Sequence, residues 1–232
     1  MELYMLTKQA SVNPLDTHAH LPICTHAQNY CLAGCFPQEW DQIAEHANQA
    51  FTLGFGHHPW FASEKSHHEL LISFLKHYSN AFVGEIGLDR SSKHKSTIEI
   101  QKNLFIDQLN IAREYNRPVA IHLVRSSALG YELIHKHYGP KVYLHGYICS
   151  VEESKMYPKA FFGFHLRMFQ SPKTAKLLSA LPMKQILIES DGESNPDHLL
   201  KTAAQIAKIK KTSEEYVILE TFHNALRWLN IE

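Results

Sequence analysis

Short apolar runs alternate with longer amphipathic stretches from one end of this chain to the other. The runs cover residues 14–20, 29–34, 50–56, 81–86, 118–123, 141–146, 160–165 and 185–190, and their β-branched and aromatic content predicts strands. Between and after them, amphipathic stretches over residues 38–48, 67–78, 97–115, 128–138, 152–157, 172–181, 196–210 and 213–229 predict helices. Alternating β and α elements imply parallel strands, in either a closed barrel or an open doubly wound sheet. One unit breaks the rhythm. Residues 21–28 are too few for a crossover helix, so the first connection is expected to be a loop or a single turn.

Several runs end in residues that are costly to bury. Asp16-Thr17-His18-Ala19-His20 closes the first, Glu85 sits in the fourth, His122 and His145 stand in the fifth and sixth, and Asp191 follows the eighth. An open sheet concentrates its ligands at a switch point, whereas a closed barrel lets distant strands converge on one rim at their C-terminal ends. Spread over five strands, these residues favour a TIM-type (β/α)8 barrel with a shortened first connection. Imidazoles and carboxylates gathered on one rim make a divalent-metal site, and a metal there activates water. The expected protein is a metal-dependent hydrolase.

Each residue also has an ordinary alternative. Alternate residues of a strand share a face, so Asp16, His18 and His20 are expected inward, with Thr17 and Ala19 outward. Asp16 lies one step deeper, better placed to orient a ligand than to be one. An isolated His-x-His is common. Glu85 is expensive inside an apolar strand unless it is paired or metal-bound, and an arginine partner is the usual solution. His122 and His145 taken singly read as hydrogen-bonded rim histidines, and Asp191 as a helix cap. The metal reading rests on their conjunction.

The 232 residues suit one large domain, taken as residues 1–232, and 44% hydrophobic content is ample for a core. Lysine plus arginine equals aspartate plus glutamate at 23 each, so a polyanion has to be held locally rather than by a global basic field. Cys24, Cys31, Cys35 and Cys149 form no Cys-x-x-Cys pair and read as unpaired small hydrophobes of a reducing cytoplasm. No segment approaches a membrane span or a signal peptide, so no membrane association is expected.

The ordered set Asp16-Thr17-His18-Ala19-His20-Leu21, Gly56-His57-His58-Pro59, Val83-Gly84-Glu85-Ile86-Gly87-Leu88-Asp89, Arg117-Pro118-Val119-Ala120-Ile121-His122, Leu144-His145-Gly146-Tyr147 and Leu187-Ile188-Glu189-Ser190-Asp191 resembles the TatD-like metal-dependent hydrolases. Phe222-His223-Asn224-Ala225 looks like that family's terminal helix. The resemblance covers nearly the whole chain. It implies two divalent ions (magnesium, manganese or zinc), the first on His18, His20 and Asp191 and the second on His122 and His145, with Glu85 bridging. It also implies that Asp191 orients or deprotonates the attacking water. A carboxylate has two oxygens and can bridge ions roughly 3.5–4 Å apart, a spacing suited to phosphodiester hydrolysis. His58 matches a family histidine that could touch substrate phosphate, with a rim histidine beside Pro59 as its alternative. Glu189 shares the inward parity of Asp191 and is expected to support the ligands or satisfy a core contact.

Departures from the family pattern fall on the mouth. Leu123 and Val124 intervene between His122 and Arg125, Gly146-Tyr147-Ile148-Cys149-Ser150 follows His145, and Phe162-Gly163-Phe164-His165-Leu166-Arg167 replaces a small-residue stretch. Gly192-Glu193-Ser194 follows Asp191. Arg90, Arg125 and Arg167 follow the fourth, fifth and seventh strands and are the cations expected to meet substrate. Trp60, Phe61, Tyr147 and Phe169 would either stack on a base or pack loops over the barrel. His67, His68, His77, His94, His135, His137 and His198 are expected at the surface, and Lys208–Lys211 as a solvated face. The leading expectation is a cytoplasmic, monomeric deoxyribonuclease trimming DNA ends, without an obligate protein partner. Its alternatives are a barrel hydrolase of a small phosphoester, amide or lactone, and a non-catalytic scaffold.

Overall fold

The computed structural model describes residues 13–23, 27–63, 65, 67–139, 141–193, 195 and 197–231. Eight parallel strands follow one another around the sheet in chain order: β1 (Leu15–Ala19), β2 (Asn29–Ala33), β3 (Thr52–Phe55), β4 (Phe82–Asp89), β5 (Val119–Val124), β6 (Tyr143–Leu144), β7 (Phe161–Phe164) and β8 (Ile186–Ile188). The helices among the described residues are α1 (Trp40–Glu45), α2 (His68–His77), α3 (Ile98–Glu114), α4 (Ser127–His137), α5 (Val151–Lys155), α6 (Pro172–Ala180), α7 (His198–Lys210) and α8 (Glu214–Leu229). This is the expected (β/α)8 barrel. The described part of the first connection, residues 20–23 and 27–28, contains no helix, as its length required.

Alternation along the strands sorts the core into two layers. Leu32, Phe55, Val83, Ile86, Ile121, Leu144, Phe162 and Ile188 pack outward against the helices. Leu15, Cys31, Ala33, Phe82, Ala120, Tyr143, Phe161 and Leu187 fill the barrel with Ala225, Trp228 and Leu229 of α8. Trp228 Nε1 donates to the carbonyl of Val119 at 3.2 Å and Asn224 Nδ2 to that of Ile186 at 2.7 Å, the first residues of β5 and β8. Helix α8 therefore plugs the N-terminal end of the barrel and leaves the C-terminal mouth for chemistry.

Several strands differ in length from the apolar runs. β6 keeps only two residues and β8 three, because their chain ends turn into rim loops that carry side chains toward the mouth. β4 runs on through Gly87, Leu88 and Asp89, past the expected end at residue 86. The first helix is split into a 3-10 turn, Pro37–Glu39, and α1. α7 begins at His198, and the expected start at Pro196 lies outside the described residues, as do Cys24 and Ser194.

The seam between β8 and β1 is stitched mainly by side chains. Asp16 Oδ1 accepts from the backbone N–H of Ser190 at 2.9 Å, Thr17 Oγ1 donates to the Ile188 carbonyl at 2.9 Å, and one backbone bond joins Asp191 N to His18 O at 2.9 Å. Thr17 corrects a parity expectation. Its hydroxyl lies inside, 3.0 Å from the phenol oxygen of Tyr143, because β1 carries an irregularity at that point. No helix among the described residues is long and apolar enough to cross a membrane.

Candidate metal centre

Two bulges aim the central side chains. On β1, Asp16 pairs with Tyr30 and Ala19 with Leu32, so three steps on one strand match two on the other. On β4, Val83 pairs with Val119 and Ile86 with Ile121, again three steps against two. The extra residue lets consecutive side chains face inward and re-aims the strand end. On β1 both Thr17 and His18 turn in while Ala19 joins the outer layer. On β4 Val83 and Ile86 face out, leaving Glu85 inward. Gly56, just past β3, permits the approach: a Cβ there would come within 2.5 Å of the Glu85 backbone.

Glu85 is 3% exposed and sits among five imidazoles. Its Oε2 lies 3.0 Å from His18 Nε2 and 3.4 Å from His20 Nε2. Its Oε1 lies 2.9 Å from His122 Nδ1, 3.0 Å from His58 Nε2 and 3.1 Å from His145 Nε2. Burial would raise the Glu85 carboxyl, but His145 and His58, with His122, hold it well below the usual carboxylate range. Burial, with His145 adding to it, lowers His18 to about 4, so that ring is neutral and offers a lone pair at physiological pH. His145 goes the other way. Burial would lower it, but Glu85 and Glu189 on either side raise it.

Carboxylates behind the cluster orient its rings. His145 Nδ1 is 3.4 Å from Glu189 Oε1, which also accepts from Gly146 N at 2.9 Å. Tyr143 donates to the other Glu189 oxygen; burial would raise the Glu189 carboxyl, but His145 brings it down to about 2. Gly163 makes room for that carboxylate, since a Cβ there would overlap it. His122 Nε2 is 3.4 Å from Asp89 Oδ2. Imidazoles backed by carboxylates in this way are characteristic of metal ligands. His20 Nδ1 lies 2.9 Å from the Ala33 carbonyl and 3.5 Å from Cys35 Sγ.

Asp191 occupies the outer part of the mouth. It has a left-handed backbone (φ 51) and its side chain is 26% exposed. Its Oδ1 is 3.9 Å from His20 Nε2, while Oδ2 is 2.7 Å from Arg167 Nη2 and 3.6 Å from His165 Nε2.

The donor atoms suit a divalent cation. Four sets, His18/Glu85/His145, His18/His20/Asp191, His20/Cys35/Glu85 and His58/Glu85/His122, each bring one atom per residue within 4.8 Å of the others. Glu85 Oε1 is buried without a hydrogen bond among the described residues, an arrangement that a cation there would relieve. The mixed imidazole and carboxylate donors fit a divalent cation.

The structure thus brings His18, His20, Glu85, His122, His145 and Asp191 to one mouth. His58, expected either to touch phosphate or to sit at the rim, is buried with Nε2 3.0 Å from Glu85 Oε1. Arg167 holds Asp191. Arg90 and Arg125 are exposed, and Arg125 has a left-handed φ of 52. Four features escaped sequence reasoning. Asp89 ends β4 in the same strand motif as Glu85, so its inward aim was available from parity. His165 lay in a stretch noted only as a departure. Cys35, read as a small hydrophobe, contacts His20. His198, expected at the surface, is buried and accepts from Leu166 N at 3.2 Å, because the first turn of α7 packs under the mouth.

A parallel barrel that converges imidazoles on one buried carboxylate at its C-terminal mouth is of the metallohydrolase class. The model of the family described as TatD related DNase matches residues 15–230, and the chain belongs to that family. It is 27% identical over 175 residues to Deoxyribonuclease TATDN3 of Homo sapiens, an alignment covering 68% of this chain and 64% of that protein. It is 28% identical over 196 residues to the uncharacterized metal-dependent hydrolase YabD of Bacillus subtilis, covering 76% of each. The solved structure of YJJV, a TatD homolog from Escherichia coli k12, superposes with a TM-score of 0.84 at 19% identity, covering 96% of this chain and 100% of that one. That last likeness speaks to the fold.

Proposed function

We propose that the chain is a divalent-metal-dependent phosphodiesterase of the deoxyribonuclease type, acting on DNA ends. The observation that carries this is the division of labour on Glu85, whose two oxygens face different imidazoles: His18 and His20 on one side, His58, His122 and His145 on the other. Such a carboxylate suits two ions rather than one, the first shared with Asp191. Bound there, they would supply Lewis-acid charge for a phosphoryl oxygen and lower the pKa of water. Magnesium, manganese and zinc all remain compatible with the donors.

The chain's own groups then have defined tasks. Asp191 Oδ1 accepts the proton of the attacking water, whose oxygen forms the new bond to phosphorus as the bond to the leaving sugar oxygen breaks. That proton leaves with the departing alkoxide as an alcohol. Arg167 keeps Oδ2 occupied and so directs Oδ1 to the reaction. Arg90 and Arg125, exposed at the ends of β4 and β5, meet flanking phosphates. We further propose a monomeric, cytoplasmic enzyme working as one catalytic domain, in line with free Cys31, Cys35 and Cys149.

The test compares a single-stranded oligonucleotide with a panel of small phosphodiesters, esters, amides and lactones, each with added magnesium, manganese or zinc and with chelator. Metal-dependent shortening of the oligonucleotide is expected. Turnover of small molecules alone would replace DNA as the substrate class.

A further inference from the structure

Trp60 stands at the edge of the mouth, and the hydrolytic scheme above gives it no task. Its side chain is 53% exposed, whereas the other two tryptophans, Trp40 and Trp228, are each 1% exposed. A single exposed aromatic is common on a protein surface, and what distinguishes Trp60 is how it is held. This one is held there firmly. Nε1 donates to Asp89 Oδ2 at 2.6 Å, the backbone N–H donates to His58 Nδ1 at 3.1 Å, and the ring stacks on His94 at 5.1 Å with an interplanar angle of 9°. Its position is tied to the donor cluster, 4.9 Å from the His58 ring and 5.9 Å from that of His122. The neighbouring Phe61 is 46% exposed, and the segment after β4 carries Arg90, Lys93 and Lys95, all exposed.

We infer that Trp60 is a nucleobase platform: a base adjoining the scissile phosphate of single-stranded DNA stacks on the indole face turned away from His94. The inference rests on the nuclease reading and specifies how that site selects its substrate. Every base presents a π face, so such a platform accepts any sequence while demanding an unpaired base. Duplex DNA keeps its bases stacked inside and presents none. The cationic segment beside the ring complements the adjoining phosphates. Because Asp89 Oδ2 contacts both the Trp60 indole and His122, the ring is fixed by the same carboxylate that backs a donor of the cluster. Base and scissile bond are therefore registered to each other.

Burial of Trp40 and Trp228 makes intrinsic fluorescence quenching a report on Trp60. Metal-loaded protein is titrated with a phosphorothioate hexathymidylate and with an abasic strand of the same length and backbone. The thymidylate strand should quench the emission and bind about tenfold or more tightly than the abasic one. With binding read instead by the anisotropy of end-labelled strands, Trp60→Ala should collapse that ratio toward one, and Trp60→Phe should restore most of it. Equal binding of both strands by the unaltered protein, without quenching, overturns the platform and needs no variant to fold. Cleavage of the unmodified hexathymidylate separates the two readings. Cleavage with no base-dependent quenching removes the platform and keeps the nuclease. Base-dependent quenching with no cleavage keeps the nucleobase site and removes the nuclease.

Discussion

The two sides of the mouth are built differently. Around Glu85, strands β1, β4, β5 and β6 and the loop after β3 supply donors that are buried or partly buried, with Glu189 behind His145 and Asp89 behind His122. Around Asp191, past the end of β8, the carboxylate is 26% exposed, sits on left-handed backbone and is held by a half-exposed arginine. The first region is fixed by the core and suits a group that must stay. The second is reached by solvent and suits one that handles water and substrate. Rigidity and access are thus divided between two carboxylates on opposite strands.

The largest expected effect lies on the fixed side. Glu85→Gln removes the charge shared by five imidazoles, and turnover should fall on the order of a thousandfold, with metal content falling alongside. Metal analysis and kinetics on the same sample check this, and full activity with full metal would take Glu85 out of the mechanism. Asp191→Asn should cost about a hundredfold in turnover while most metal stays bound, since imidazoles and Glu85 remain. If its metal loss accounts for all the lost activity, the proposed handling of water on this side has no support.

Arg167→Ala frees Asp191 Oδ2 and should lower kcat by about tenfold, with Arg167→Lys in between, because a single ammonium replaces the guanidinium fork. An unchanged kcat would mean that the ion pair is incidental. Smallest is Arg125→Ala, expected to raise KM for an oligonucleotide a few-fold, about one phosphate contact's worth, and to leave a small diester nearly untouched. Equal loss on both substrates would place Arg125 in the chemistry instead. The salt dependence of binding should be shallow, about two or three phosphates, and a steep slope would count against a local clamp.

Periodicity made the alternating β/α order legible, and the spread of ligand-type residues over five strands chose a closed barrel over a doubly wound sheet. The ligand-bearing positions were legible for a related reason: a charged or imidazole side chain ending an apolar strand stands out. What stayed hidden followed from departures from strict alternation. Each bulge on β1 and β4 adds a residue, so parity put Thr17 outside when it faces Tyr143. His58 allows either a phosphate contact or a rim position in sequence terms, because the length of the turn after β3 decides how deep it reaches. His198 read as a surface residue because helical position alone does not tell which face of α7 packs beneath the mouth. Cys35 and His165 lie in segments whose path is set by tertiary packing, where local sequence says little.

The seam between β8 and β1 has a consequence for when this protein can act. Asp16 accepts from the Ser190 amide across 174 positions of sequence, and the same closure sets Asp191 beside His18 and His20. A growing chain on the ribosome holds His18 and His20 long before it has Asp191 to complete them. Until the eighth strand emerges and docks, Asp191 is not in place beside the two histidines. On the proposed scheme, hydrolytic competence would arrive only with closure of the ring, after the last strand has been made.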